Sequence, residues 1–370
     1  MIIGICMWIF TVTASLDTVS SFAGYDFSEI QNFLEQELPD MPITFSQMVT
    51  KLMSGEETNH ISIGIDWIKQ FLFTEIAANK NMIIKIIIIA VIGAIFTQFS
   101  SVFQNSQISE TGFFITYLLM IGMLAAAFTA TISIAAALLE SVLGFMKVFL
   151  PTFFLAVAFV GGSITASVFY ETAFGVISVM EELLKTIFIP MVGMYVTILF
   201  VNQISGEDLL SKTAELLKIV AEWGMKAVLG VVLGIQLIQG MILPFADAVK
   251  ANTIQKAVKM IPGIGDSASK VSQIVVGGGV LVKNGIGMAA LVVLVLLAVI
   301  PLLKLAVITL FYYMAAAIIQ PIADERMSNC IMAVAEGGKL LIRIVFLASF
   351  LLFLMIVIVC QATNVVYLSS

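Results

Sequence analysis

A single histidine, His60, and three cysteines, Cys6, Cys330 and Cys360, are all that 370 residues offer of the side chains most used to hold transition metals or to build nucleophilic sites. His60 sits beside Glu56 and Glu57 in a polar stretch, without the clustered partners that a ligand set or a general base needs. The cysteines are widely separated in or beside apolar segments, which excludes zinc spacing and a disulfide framework and leaves packing as their simplest role. Charge is scarce as well. Asp, Glu, Lys and Arg make up 11% of the chain, the formal net charge is −6, and no basic face assembles, so nucleic acid is excluded as a main partner. No paired aspartates or histidine cluster lies within an apolar run, and no Gly-Lys-Ser or Gly-Lys-Thr closes a phosphate loop. These absences leave no enzyme, no metal and no cofactor in the expectation.

What is abundant is hydrocarbon. Hydrophobic residues make up 60% of the chain and the mean hydropathy is +1.09, too little polar surface to clothe a water-soluble globule. The fold class expected is all-α, a polytopic transmembrane helical bundle of about 7–9 spans with interfacial amphipathic helices, and its first partner is the lipid bilayer.

Residues 1–15 read as a signal-peptide-like or short anchor segment: Ile2 to Thr11 is apolar, and Val12-Thr13-Ala14 resembles a small-residue cleavage site, but no Lys or Arg precedes it. Cleavage and retention both stay open. Residues 16–78 form an acidic extracytoplasmic helical segment, in which nine Asp and Glu between Leu16 and Gln70 face only Lys51 and Lys69. Phe27, Ile30, Phe33 and Leu34 recur at helical spacing before Leu38-Pro39, and a second amphipathic stretch runs from Ile63 to Phe73, which predicts two short helices on the membrane surface. Residues 79–370 form a multi-span membrane domain. Its candidate spans are 82–100, 112–139, 142–160, 164–180, 186–201, 227–243, 286–303, 305–322 and 340–360, the one at 164–180 being equally readable as re-entrant or interfacial.

Two patterns set the expected topology. The run from Ile286 to Ile322 would reach about 55 Å as one helix, too long for a hydrocarbon core of roughly 30 Å, so a hairpin broken near Pro301 and Lys304 is expected. Leu216, Leu217, Val220 and Trp223, opposed by Lys212, Glu215 and Glu222, predict an interfacial helix, and 246–261 is its basic counterpart with Lys250, Lys256 and Lys259. Basic residues then put 246–285 and 323–343 on the cytoplasmic side and, if 164–180 does not cross, leave 203–222, the acidic segment and the carboxyl terminus outside.

Lys147, Glu171 and Lys304 are the ionisable residues deepest within these spans, and Gln236, Gln239 and Gln320 add neutral polar groups. They are the candidates for a polar path or for inter-helix contacts, with snorkelling charges and amide packing as the plainer alternatives.

Ile261-Pro262-Gly263-Ile264-Gly265, then Lys283-Asn284-Gly285-Ile286-Gly287, then Ala315-Ala316-Ala317-Ile318-Ile319-Gln320-Pro321 carry a resemblance. In their order and spacing they resemble the stage III sporulation protein AE family, from about position 70 to the end. The resemblance implies a protein of endospore-forming bacteria, in the mother-cell-derived membrane around the forespore. It further implies a subunit of a transenvelope channel or secretion complex, with other stage III sporulation A proteins and a forespore membrane partner, that sustains late forespore gene expression. A homo-oligomer stays open. The alternative from the residues themselves is a self-sufficient small-solute permease, with broken helices at Pro151, Pro190 and Pro301 framing a midplane site.

Overall fold

The computed structural model describes residues 25–39, 41, 43–54, 81, 84–95, 106–160, 163–205, 210–259 and 265–368, and every regular element among them is helical. The signal-like segment 1–15, His60, the stretch from Ile63 to Phe73, Pro262 and Gly263 lie outside these residues.

Among the described residues two short helices come first, α1 (Ser28–Glu37) and α2 (Phe45–Ser54). Asp26 Oδ1 accepts the Ser28 N–H at 2.9 Å at the start of α1, and Ile30 and Leu34, one turn apart, are buried. α2 opens with a reciprocal cap: Thr44 Oγ1 accepts the Gln47 N–H at 3.2 Å, while Gln47 Oε1 accepts the Thr44 N–H at 3.1 Å. Gln31 Oε1 accepts the Phe45 N–H at 3.0 Å and ties the two helices together. The pair is docked on the bundle, with Phe33 against Phe145 at a ring separation of 6.2 Å.

The body comprises α3 (Ile84–Ile95), α4 (Ser106–Phe159), α5 (Ser163–Met180), a π-helix (Glu181–Phe188), α6 (Ile189–Ser205), α7 (Ser211–Lys259), α8 (Gly265–Ile319) and α9 (Glu325–Leu368). Among the described residues, five helical runs are long and apolar enough to cross a membrane: Phe114–Phe159, Ser163–Ile204, Ser211–Asp247, Gly277–Ile319 and Glu325–Thr363. At 37 to 46 residues and about 1.5 Å each, they reach roughly 55–70 Å, well beyond one hydrocarbon core of about 30 Å.

α9 is the axis. It packs on α4, α6, α7 and α8, and 56% of its most apolar window is buried, against 12% for α7. Its middle carries Gly337 and Gly338, where a side chain would collide with Val196 and Phe128 on one face and with Thr309 on the other. Small residues here let three helices reach the axis. Toward the other end, Phe145, Phe149 and Phe153 of α4 stack at i, i+4 spacing with centroids 5.6 and 5.0 Å apart, each such pair adding about 0.5–1.5 kcal/mol beyond its burial.

The helices are continuous where the sequence pattern separates them. Residues 112–139 and 142–160 join in α4, with Pro151 inside it. The expected hairpin at Pro301 and Lys304 is absent, because α8 runs unbroken through Pro301. Proline removes one backbone donor, and a helix packed on neighbours tolerates that loss. The expected interfacial helices around 216 and 254 are both parts of α7.

This continuity also corrects the topology. Tyr313 of α8 meets Glu336 of α9, and Lys283 near the start of α8 meets Thr363 near the end of α9, so the two are antiparallel. Residues 265–285 and 323–343 therefore lie at opposite ends of the bundle, whereas Lys218 and Glu222 pair with Glu336 and Arg343 at one level.

Candidate functional site: a polar seam beneath α7

α7 is inside out by the standards of a water-soluble helix. Leu216, Trp223, Val231, Met241 and Phe245 point outward at 59–72% exposure, while Gln236 and Asp247 are 2% and 1% exposed. Lys218, Glu222, Gln236 and Asp247 follow one another at spacings of about one, four and three helical turns, which places them on one face, toward the bundle. A helix with hydrocarbon outside and protein inside has this pattern, since lipid solvates the apolar residues and the interior must satisfy the polar ones.

One end of the seam is ionic. Lys218 Nζ donates to Glu336 Oε2 at 2.8 Å, and the Tyr313 hydroxyl donates to Glu336 Oε1 at 2.7 Å. Lys339, one turn along α9, stands 3.8 Å from the same carboxylate. One turn further, Arg343 pairs with Glu222 at 2.5 Å. Glu336 thus has both oxygens occupied, by an ammonium from α7 and a phenol from α8, and its side chain is 22% exposed. Breaking such a half-buried set leaves an unpaired charge among apolar helices, which costs more than a surface ion pair contributes.

The other end is neutral apart from one carboxylate. Gln239 Nε2 donates to Thr172 Oγ1 of α5 at 2.8 Å. Asp247 accepts the N–H groups of Ile164 and Thr165 at 3.0 and 2.9 Å, one on each carboxylate oxygen. A buried acid on α7 thereby caps the amino terminus of α5, where unpaired N–H groups and the helix dipole favour negative charge. Between the two ends, Met225 and Val232 are buried on the same face of α7.

Of the six polar-path candidates read from sequence, Gln236 and Gln239 lie in the seam, and Lys147, Glu171, Lys304 and Gln320 do not. Lys147 pairs with Glu181 at 2.5 Å on the outer surface, its side chain 39% exposed, as a tie between α4 and the π-helix; Lys185 and Glu140 form a second tie at 3.2 Å. Glu171 lies on the exposed face of α5, and Lys304 is half-buried on α8. Gln320 and Pro321 form the exposed turn between α8 and α9, with the Gln320 N–H on Ala316 O at 2.9 Å.

The residues of the resemblance hold α8 against α9. Gly265 opens α8. Lys283 is fully buried, donating to Thr363 Oγ1 and to Cys360 O at 3.3 Å; Asn284 is half-buried beside it. At Gly287 a Cβ would stand 2.5 Å from Cys360 Sγ and 3.3 Å from Phe153, a close crossing that only glycine allows.

Sequence reasoning missed Lys218, Tyr313 and Glu336. The signal was there in two spacings: Lys218 and Glu222 four apart, and Glu336, Lys339 and Arg343 at i, i+3, i+7, each set on one helical face with complementary sign. Among the described residues, no group of three or more His, Cys, Asp or Glu could hold a metal ion.

The sequence profile of stage III sporulation protein AE matches residues 43–363, from the approach to α2 nearly to the end of α9. The chain belongs to the stage III sporulation protein AE family. The stage III sporulation protein AE of Bacillus subtilis (strain 168) is 22% identical over 303 residues, covering 81% of this chain and 76% of that relative. No solved structure matches. For a stage III sporulation protein AE family member, the matched region takes in the whole seam, the ionic cluster and the Lys283 crossing.

Proposed function

We propose that this protein is a multi-pass membrane subunit of the transenvelope channel or secretion complex between mother cell and forespore, required for late forespore gene expression. Family membership supports the sporulation role. The observation that carries the finer reading is the inverted α7: a polar face buried along a bundle, with an apolar face turned outward. Such a seam is where a membrane protein can conduct polar groups or hold two arrangements of its helices. In this reading the protein sits in the mother-cell-derived membrane around the forespore. It works there with other stage III sporulation A proteins and a forespore membrane partner.

Deleting the gene in its sporulating host tests the proposal. Engulfment should finish normally and a late forespore reporter should then stay silent; full spore yield would refute it. The burial of Gln236, with Gln239 half-buried beside it, within one chain favours a second reading, a self-sufficient permease. Purified protein alone would then move a small solute across liposomes, whereas the subunit reading predicts no transport without partners.

A further inference from the structure

Gln236 is 2% exposed, and neither its amide nitrogen nor its amide oxygen has a hydrogen-bond partner in the protein. The oxygen of Gln239, one turn along, is in the same position, its nitrogen being committed to Thr172. Each buried polar group left unpaired costs about 1–3 kcal/mol, and an apolar side chain of similar volume would avoid that cost. Three such groups on one face of one helix point to something that satisfies them.

The chemistry of the site narrows what that is. An amide offers both donors and an acceptor, so its partner must donate and accept as well. The nearest carboxylate along α7, Asp247, already has both oxygens occupied by the N–H groups of Ile164 and Thr165, which disfavours a cation. A neutral hydrogen-bonding molecule fits. The smallest is water, which in protein interiors makes about three hydrogen bonds to groups of this kind. Toward the ionic end, Val232 lies one turn away on the same face and is 6% exposed, an apolar plug between Gln236 and Glu222.

We propose that the seam between α5 and α7 is a water-binding site, held by Gln236 and Gln239 and closed by Val232 on the side of the ionic cluster. It deepens the polar-seam reading by separating a wet half from a dry plug that a conformational change must open.

The test uses the full chain in lipid nanodiscs, with Cys6, Cys330 and Cys360 replaced by alanine, carrying Gln236→Cys or Val232→Cys. On mixing into D2O, S–H to S–D exchange is followed by infrared spectroscopy, with water itself as the probe. The thiol at 236 should exchange at least about tenfold faster than that at 232, because exchange requires contact with water. Equal rates, both slow or both fast, overturn the proposal. Gln236→Leu gives an independent arm. A dry site predicts a higher Tm once the unpaired groups are removed, so a rise overturns it, while an unchanged or lower Tm is the result expected. Neither arm depends on sporulation, so failure here is distinguishable from failure of the channel reading.

Discussion

At Glu336 a single carboxylate joins three helices, accepting from Lys218 of α7 and Tyr313 of α8 while riding on α9. Glu336→Ala should leave Lys218 half-buried without its partner. We expect a loss of about 1–2 kcal/mol, discounted for partial exposure and measured as a lower Tm in detergent. Tyr313→Phe removes one donor from the same carboxylate and should cost less, near 1 kcal/mol. Asp247→Ala uncaps α5 and should destabilise by about 0.5–2 kcal/mol, with faster amide exchange at Ile164 and Thr165 as its local signature. The seam amides were legible in sequence because Gln236 and Gln239 interrupt an otherwise apolar run. Glu336 and Lys218 were not, since charges at the flank of an apolar run look like solvated ends when the partner helix is unknown. Glu171 misled for the opposite reason: it interrupts an apolar run, yet its neighbours Phe169 and Ala173 take the buried face and leave it outside.

Continuity distinguishes the elements. A proline within an apolar run reads as a break, and only packing shows whether a helix continues; α4 and α8 do continue, through Pro151 and Pro301. One unbroken α8 puts its two ends on opposite faces of the bundle. A thiol at Gly278, which is exposed and has room for a side chain, and one at Gln320 should therefore be labelled by an impermeant reagent from opposite sides of a sealed vesicle. Labelling of both from one side would restore the hairpin. Glycines separate crossings from bare helix in the same way. A Cβ at Gly337 collides with Val196 and Phe128, so Gly337→Ala should cost about 1–3 kcal/mol by overpacking, whereas at Gly230 nothing lies within 4 Å and Gly230→Ala should gain about 0.5–1 kcal/mol of helix stability. Thermal midpoints of the two variants should move in opposite directions.

Across the whole molecule, hydropathy made the class legible: a helical membrane protein follows from the apolar fraction alone. The arrangement was less so, because the pairing of α7 with α9 rests on contacts between residues more than 100 positions apart, such as Lys218 with Glu336. That pairing turns the polar face of α7 inward and gives the bundle its seam, on which the sporulation role is taken to depend. The most direct measurement exchanges the charges of one pair, Glu222→Arg and Arg343→Glu, singly and together, in sporulating cells with matched protein levels in the membrane. Each single change should lower spore yield and late forespore reporter activity, and the double change should recover most of both. Wild-type sporulation from the single variants, or a double variant no better than either, would contradict a working role for the seam.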